Sequence, residues 1–581
     1  MAEASQNKSE QKLRIPGIPT PEPKESLERL QAIKVKETRS FMISARREAA
    51  AEAPEIVTDP DEVVEIELED GSRFWTSRQR LCDEVLRGSV QRSADGAVIV
   101  PPSLPLRGPS RGTVGSLLIK TLRFFKIDVP EMAAHKISKV LEDRTLKHGT
   151  NLFQCSVSPT FGLSEPGTIS TDRQILLFIH GTASSTQGSF GEFWQNERRA
   201  LRETLFAAYQ GHVYTFDHRT LTESPITNVI ALVKKLPIGA RLHIIAHSRG
   251  GIVGEILNRA DMADGRDPFD SHDLEFFRKH DRQGQRGNLA ELNRLLKTKK
   301  IHVERFVRVG CPARGTSLAS ERFDLYLSVV FNLIQKIPVL QASIIGTAYD
   351  VFSELIMAIA KERSDPNVLP GIEAMIPTSP LISLLNRPDR AVGGELRVIA
   401  GDTEGANLAT ALSTLLTDPL YLGDNDLVVD TAAMFGGAER RDGSAYSLHQ
   451  GSQVSHFRYF TNEDSAARVV KAITRKPDEK DGFVDFSVRS VDAGVPPYKR
   501  DALPQPVVFL LPGIMGSHLA IGDNRIWIDP VDLAFGGLSQ LNIEAEGVRA
   551  EAPVSMAYGD LVKFLAHSHE VVPFPYDWRI S

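Results

Sequence analysis

The sequence predicts an α/β protein built on a mostly parallel sheet with helices on both faces, and three observations predict it. From Asp172 onward short apolar strands alternate with amphipathic stretches: Ile175-Leu-Leu-Phe-Ile179, His212-Val-Tyr-Thr-Phe216, Leu242-His-Ile-Ile-Ala246, Phe306-Val-Arg-Val309 and Leu396-Arg-Val-Ile-Ala400. Buried strands separated by helices are the pattern of a parallel sheet. The third strand runs directly into His247-Ser248-Arg249-Gly250-Gly251 and then a helical pattern, Ile252-Val-Gly-Glu-Ile-Leu-Asn258. Two long insertions, residues 261–300 and 322–385, interrupt the alternation and predict a helical cap.

The bulk properties bound the rest. At 581 residues the chain exceeds what one core serves, so two or three domains are expected. With 41% hydrophobic and 24% charged residues and a formal net charge of -6, it has no electrostatic reason to bind nucleic acid. Its three cysteines (Cys82, Cys155, Cys311) are scattered and lack metal-ligand spacing, which fits a reducing compartment; neither metal nor cofactor is called for. Met1 to Glu10 is polar and resembles no secretory signal, so the chain reads as cytoplasmic. The most apolar region, Leu325 to Ile359, is broken by Gln335, Lys336, Pro338 and Asp350, so no membrane span is expected, although peripheral membrane contact is compatible with it.

In chain order, residues 1–55 are rich in Lys, Glu, Pro and Ser and read as a mobile tail with a helix-like middle around 25–49. Residues 56–160 read as a small accessory α+β domain. There Glu62 to Glu69 alternates at the strand period, Asp70-Gly71 turns, and Phe74-Trp75 resumes a strand. Gly115 to Lys147 looks helical, with Leu117 to Phe125 equally compatible with a buried strand. Residues 161–475 form the main module, 476–504 a linker rich in charge, Pro and Gly, and 505–581 a further module opened by the strand Val507-Val-Phe-Leu-Leu511.

A serine at the apex of a strand-turn-helix needs small residues two positions to either side, because the strand and helix backbones approach closely there. Ala246 and Gly250 meet that need around Ser248. The bland alternative is a serine that caps the following helix. After the strand Ile175 to Ile179, His180-Gly181-Thr182 opens a loop of small residues that lets a backbone N–H approach a carbonyl oxygen. In such a fold one oxyanion donor follows the nucleophile and the other lies in this loop, which assigns the N–H groups of Arg249 and Thr182. Ser184 and Ser185 sit on no such turn and read as loop residues.

The triad order Ser, acid, His puts the acid after a later strand and the base near the module's end. Asp426, in Asp424-Asn-Asp-Leu-Val-Val429, is the first choice of acid, with Asp424 second and Asp402 third. His456, in Val454-Ser-His-Phe457 before a terminal helix, is preferred to His449 as the base.

Together Phe178-Ile-His-Gly-Thr182, Ala246-His-Ser-Arg-Gly-Gly251, Pro312-Ala-Arg-Gly-Thr316, Asn425-Asp-Leu-Val428 and Ser455-His456 resemble the lipase-like α/β-hydrolase superfamily, over about Asp172 to Arg475. The resemblance implies an α/β-hydrolase fold and a serine mechanism, without naming a substrate. Val507 to Leu519, Trp527-Ile-Asp-Pro530 and Phe574-Pro-Tyr-Asp-Trp-Arg579 resemble the start of lecithin:cholesterol acyltransferase-like proteins. In that family the nucleophile, acid and histidine come later than Ser581, so this second module is expected to be incomplete and silent, the remnant or fragment of a longer polypeptide. The expected function is an esterase or lipase acting on an ester or lipid-like substrate through an acyl-enzyme on Ser248. Acyl transfer to an alcohol and a silent binding or regulatory protein are the alternatives.

Overall fold

The structure is a computed structural model that describes residues 11–20, 34–43, 54–59, 62–69, 71–81, 91–92, 97–107, 113–128, 133–280, 283–316, 328, 355–356, 369–387, 389–402, 426, 428–450, 454–476, 479, 482–488, 507–521, 524–527, 537–554, 557–558, 561–562, 565 and 570–580. The chain divides into two compact units, one of Met1–Thr417 with Asp424–Phe486 and one of Asp418–Gly423 with Ser487–Ser581.

The first unit is organised by a nine-stranded sheet. Its strands are Asn151–Cys155 (β1), Leu163–Ser164 (β2), Ile175–Ile179 (β3), Val213–Asp217 (β4), Arg241–His247 (β5), His302–Val309 (β6), Glu395–Asp402 (β7), Ser444–Gln450 (β8) and Val484–Phe486 (β9). They lie in the order β2-β1-β4-β3-β5-β6-β7-β8-β9. From β4 to β8 every neighbouring pair is parallel, while β1 and β9 pair antiparallel at the two sides. The swap of β3 and β4 leaves β3 and β5 adjacent, Ile179 opposite Ala246, so the loops that follow the two strands emerge side by side. β3, β4 and β7 are buried along their whole length, as the apolar runs predict. On one face Phe178, Phe190, Phe193, Trp194 and Phe460 form an aromatic cluster with edge-on ring contacts.

Several expectations change. The described parts of residues 1–55 are strands and not a mobile tail. Gln11–Arg14 pairs with Glu55–Thr58, and Gly17–Pro19 with Lys34–Ile43. Lys34–Ile43 also pairs with the long strand Thr113–Asp128, where a helix was expected around 25–49. Its buried Glu37 and Ser40 disguise the strand period. The hairpin at Gly71 forms as expected, Val63–Leu68 against Arg73–Ser77, with Gly71 at a φ of 81°. Of the two readings of Leu117 to Phe125 the strand holds, and the helix of that region is Ala133–Thr145. Residues 56–160 do not separate as a domain. β1 belongs to the main sheet, and Glu142 of the Ala133–Thr145 helix accepts the backbone N–H groups of Thr220 and Leu221, each at 2.6 Å.

The polar insertion 261–300 forms the helices Ser271–Lys279 and Gln283–Lys299. Leu289, Leu292 and Leu296 are buried at helical spacing, and Lys234 of the helix Pro225–Lys235 pairs with Glu291 at 2.8 Å. The insertion thus extends a helical layer instead of capping the site. Most of the apolar insertion 322–385 lies outside the described residues, as does most of the expected linker 476–504.

In the second unit Val507–Leu510 pairs in parallel with Glu570–Pro573, and Ser517–Ile521 lies between Asn524–Trp527 and Val548–Pro553 in an antiparallel sheet. Among the described residues no helix is long and apolar enough to cross a membrane.

Candidate active site

Ser248 follows the last residue of β5 and precedes the helix Gly250–Asn258. Its φ is +54°, a left-handed conformation that side-chain-bearing residues rarely adopt. Two backbone hydrogen bonds hold it there: Ser248 N–H donates to Val309 at 2.9 Å, and Gly251 N–H donates to Ser248 at 2.9 Å. A Cβ at Gly250 would collide with the carbonyl oxygens of Ile179 and His180, so the small residue required by the turn has a visible reason. Gly181 is equally constrained, since a Cβ there would meet Ser248 Cβ at 2.7 Å.

His456 Nε2 is 2.8 Å from Ser248 Oγ, and His456 Nδ1 is 2.7 Å from Asp426 Oδ2. An ionised carboxylate only accepts, so Nδ1 carries the proton and the bare Nε2 accepts from the serine hydroxyl. Asp426 is fully buried and held on all sides. Its Oδ1 accepts the N–H groups of Val428 and Val429 at 3.1 and 2.8 Å, and its backbone carbonyl accepts His456 N–H at 2.9 Å. Oδ2 also accepts the hydroxyl of Tyr459 at 2.9 Å.

Room for this group comes from two glycines. A Cβ at Gly310 would lie 2.8 Å from the Tyr459 ring, 3.0 Å from Asp426 Oδ2 and 3.3 Å from His456 Nδ1, and one at Gly401 would strike the tyrosine hydroxyl. Burial and the neighbouring carboxylate push the Tyr459 hydroxyl well above its usual range, so it stays a donor.

His247 adds a link from behind. Its Nε2–H donates to the backbone carbonyl of His456 at 2.7 Å, leaving Nδ1 3.4 Å from the hydroxyl of Ser189, which also accepts Gly181 N–H at 3.3 Å. Burial, then the nearby His456, lowers His247 to about 3, so it is a neutral strut.

Of the sequence candidates, the structure brings Ser248, Asp426 and His456 into one relay. Asp402 ends β7 and accepts from Gln450 at 3.3 Å, and His449 lies on β8 beside Ser447 at 3.3 Å, both apart from the relay. Asp424 lies outside the described residues. Ser185 caps the short helix Thr186–Phe190, accepting Gly188 N–H at 3.2 Å, in keeping with a loop role. Thr182 directly follows Gly181, and its hydroxyl donates to the sulfur of Met375 at 3.4 Å. The Arg249 side chain is spent on structure, donating to the carbonyls of Gly371 and Glu223 at 2.9 and 2.8 Å and to Asn228 at 3.0 Å. Sequence reading missed Tyr459, His247 and the 369–375 segment that seats Gly371 and Met375 against the site. Among the described residues no group of three or more His, Cys, Asp or Glu could hold a metal ion.

A family profile described as a domain of unknown function, DUF7379, matches residues 152–272 and 285–474, more than half of the chain. The chain belongs to the DUF7379 family. The matched stretches carry β1 to β8 together with Ser248, Asp426 and His456. No curated protein matches this DUF7379 chain. Among solved structures it is similar to lipase 1 from Pelosinus fermentans (11% identity, TM-score 0.34, covering 52% of this chain and 99% of that one). The Staphylococcus hyicus lipase (13%, 0.33, 52% and 94%) and the Bacillus licheniformis lipase BlEst2 in mature form (15%, 0.24, 51% and 90%) are similar too. The strand order and the serine turn of the DUF7379 chain itself define an α/β-hydrolase-like fold.

Proposed function

We propose that the chain is a serine hydrolase of the lipase or esterase type. One observation carries the reading: a left-handed serine on a strand-to-helix turn, 2.8 Å from a histidine that is 2.7 Å from a buried carboxylate. Ser248 Oγ attacks the substrate carbonyl carbon while His456 Nε2 takes its proton, and Asp426 holds Nδ1–H and stabilises the imidazolium. The oxyanion accepts from the N–H groups of Thr182 and Arg249. The acyl C–O bond then breaks, His456 returns the proton to the departing alcohol, and the acyl group stays on Ser248. Water attacks this ester, gives its proton to His456 and releases the acid and free Ser248.

The packing of Pro370–Met375 against Thr182 and Arg249 supports a covered site that excludes bulk water. A fluorophosphonate probe tests the reading. It should label the protein at Ser248 and leave Ser248→Ala unlabelled, and equal labelling of the two would overturn it.

A further inference from the structure

The two proposed oxyanion donors, Thr182 and Arg249, come from different loops, and Thr220 and Leu221, in the loop after β4, bear on both. Ala183, next to Thr182, has a φ of 50°, a left-handed conformation rare for a residue with a Cβ. Its N–H donates to the hydroxyl of Thr220 at 2.9 Å, and both residues are buried, where an unmet N–H is costly. The Thr220 hydroxyl thus ties down the strained residue beside one donor. On the side of the other donor, Gly371 N–H donates to the Leu221 carbonyl at 3.0 Å, and a Cβ at Gly371 would come within 1.9 Å of the Thr220 carbonyl oxygen. The Gly371 carbonyl in turn accepts Arg249 Nε–H at 2.9 Å.

Thr220 and Leu221 are themselves fixed by a residue far away in the chain. Glu142 Oε1 accepts both of their N–H groups, each at 2.6 Å, and Oε2 accepts the Thr222 hydroxyl. Glu142 is buried and belongs to the Ala133–Thr145 helix, ahead of residue 152, where the DUF7379 match begins. We propose that Thr220 is a positioning residue for the oxyanion site and that Glu142 holds it in register. The inference rests on the hydrolase reading. Thr220 acts through Ala183, and Glu142 acts through Thr220. Without the Thr220 hydroxyl, Ala183 is free to leave its left-handed conformation, and Thr182, on the same loop, moves with it. An oxyanion donor works at about 2.7–3.1 Å from the charge it meets, so a small displacement weakens it. The oxyanion exists only as the reaction proceeds, so the loss falls on kcat and spares KM.

Paired variants decide it. Thr220→Val keeps the volume and removes the hydroxyl, while Thr220→Ser keeps the hydroxyl. With 4-nitrophenyl butyrate, Thr220→Val should lower kcat roughly tenfold to a hundredfold at unchanged KM, somewhat less than deleting an oxyanion donor outright. It should also weaken inhibition by an alkyl trifluoromethyl ketone, whose adduct with Ser248 carries an oxyanion, in the same proportion as kcat/KM. Thr220→Ser should stay within about threefold of wild type in both measurements, because the acceptor for Ala183 N–H remains. Glu142→Ala should follow Thr220→Val, and Glu142→Gln, which keeps an acceptor oxygen, should follow wild type. Melting temperatures report that each variant folds, and the Glu142 pair carries the test if Thr220→Val does not. Equal losses in both members of a pair, or a fall in kcat without the matching loss of ketone affinity, overturn the inference and leave a packing role. Wild-type kinetics in Thr220→Val and Glu142→Ala, from a protein that does label at Ser248, overturn it as well. Absence of both labelling and turnover in the wild-type protein overturns the hydrolase reading and the inference with it.

Discussion

Tyr459 and His456 share one oxygen: Asp426 Oδ2 accepts the tyrosine hydroxyl at 2.9 Å and the imidazole Nδ1–H at 2.7 Å. The carboxylate that orients the histidine is thus itself oriented by a second donor. Tyr459→Phe keeps the ring and removes that donor. Its kcat should fall roughly threefold to tenfold with KM unchanged, and stability should drop by about 1.5–3 kcal/mol, the worth of a hydrogen bond to a charged group. With more charge left on Oδ2, the downfield proton NMR signal of His456 Nδ1–H should move further downfield. A tyrosine that served packing alone would leave that signal in place.

Asp426→Asn should cost about 10⁴-fold in kcat, because an amide in place of the carboxylate favours the wrong histidine tautomer. Asp402→Asn, at the end of β7 and outside the relay, should stay within about tenfold of wild type. Steady-state kinetics on one activated ester compares them, and the opposite ranking would reassign the acid.

Ser248→Ala should leave only background turnover, the residual catalysis of a site without its nucleophile. Ser248→Gly should be equally inactive yet melt higher than Ser248→Ala, since glycine adopts a φ of +54° freely. The left-handed penalty of about 1–2 kcal/mol outweighs the glycine entropy cost of about 0.5–1 kcal/mol. A lower melting point for the glycine variant would argue against strain at the turn.

His247, lowered to about 3 by burial, sets a pH dependence. Below its ordinary range the unfolded chain takes up a proton that the folded protein refuses, so stability is complete above about pH 6.5 and is lost as pH falls. Each pH unit below that costs about 1.4 kcal/mol for this group. His247→Gln keeps a donor for the His456 carbonyl and removes the titration. Between pH 7 and pH 5 wild type should therefore lose about 2 kcal/mol more than the variant in denaturant titrations. Parallel losses would show that His247 titrates normally.

Much of the first unit was legible because its strands are apolar at both faces and its serine turn has rigid demands. Ala246 and Gly250 betray Ser248, and chain order then narrows the acid and the base. The N-terminal strands were not legible. Lys34–Ile43 buries Glu37 and Ser40, and charges on an inward face erase the alternation that marks a strand. Tyr459 and His247 were silent for a different reason. Each acts through tertiary hydrogen bonds between residues far apart in the chain, His247 to His456 and Tyr459 to Asp426, and such contacts leave no periodic trace.

The seat made by Gly310 and Gly401 for Tyr459 ties the assembly of the Ser248–His456–Asp426 relay to the order in which the sheet forms. Those glycines stand where β6 ends and within β7, so the tyrosine can dock only after both strands have taken their final register, and His456 arrives with it. The sheet and even the serine turn can be complete while His456 is still adrift. On refolding, the circular dichroism of helix and strand should recover ahead of the proposed ester hydrolysis, which would make that turnover a clock for the last docking event.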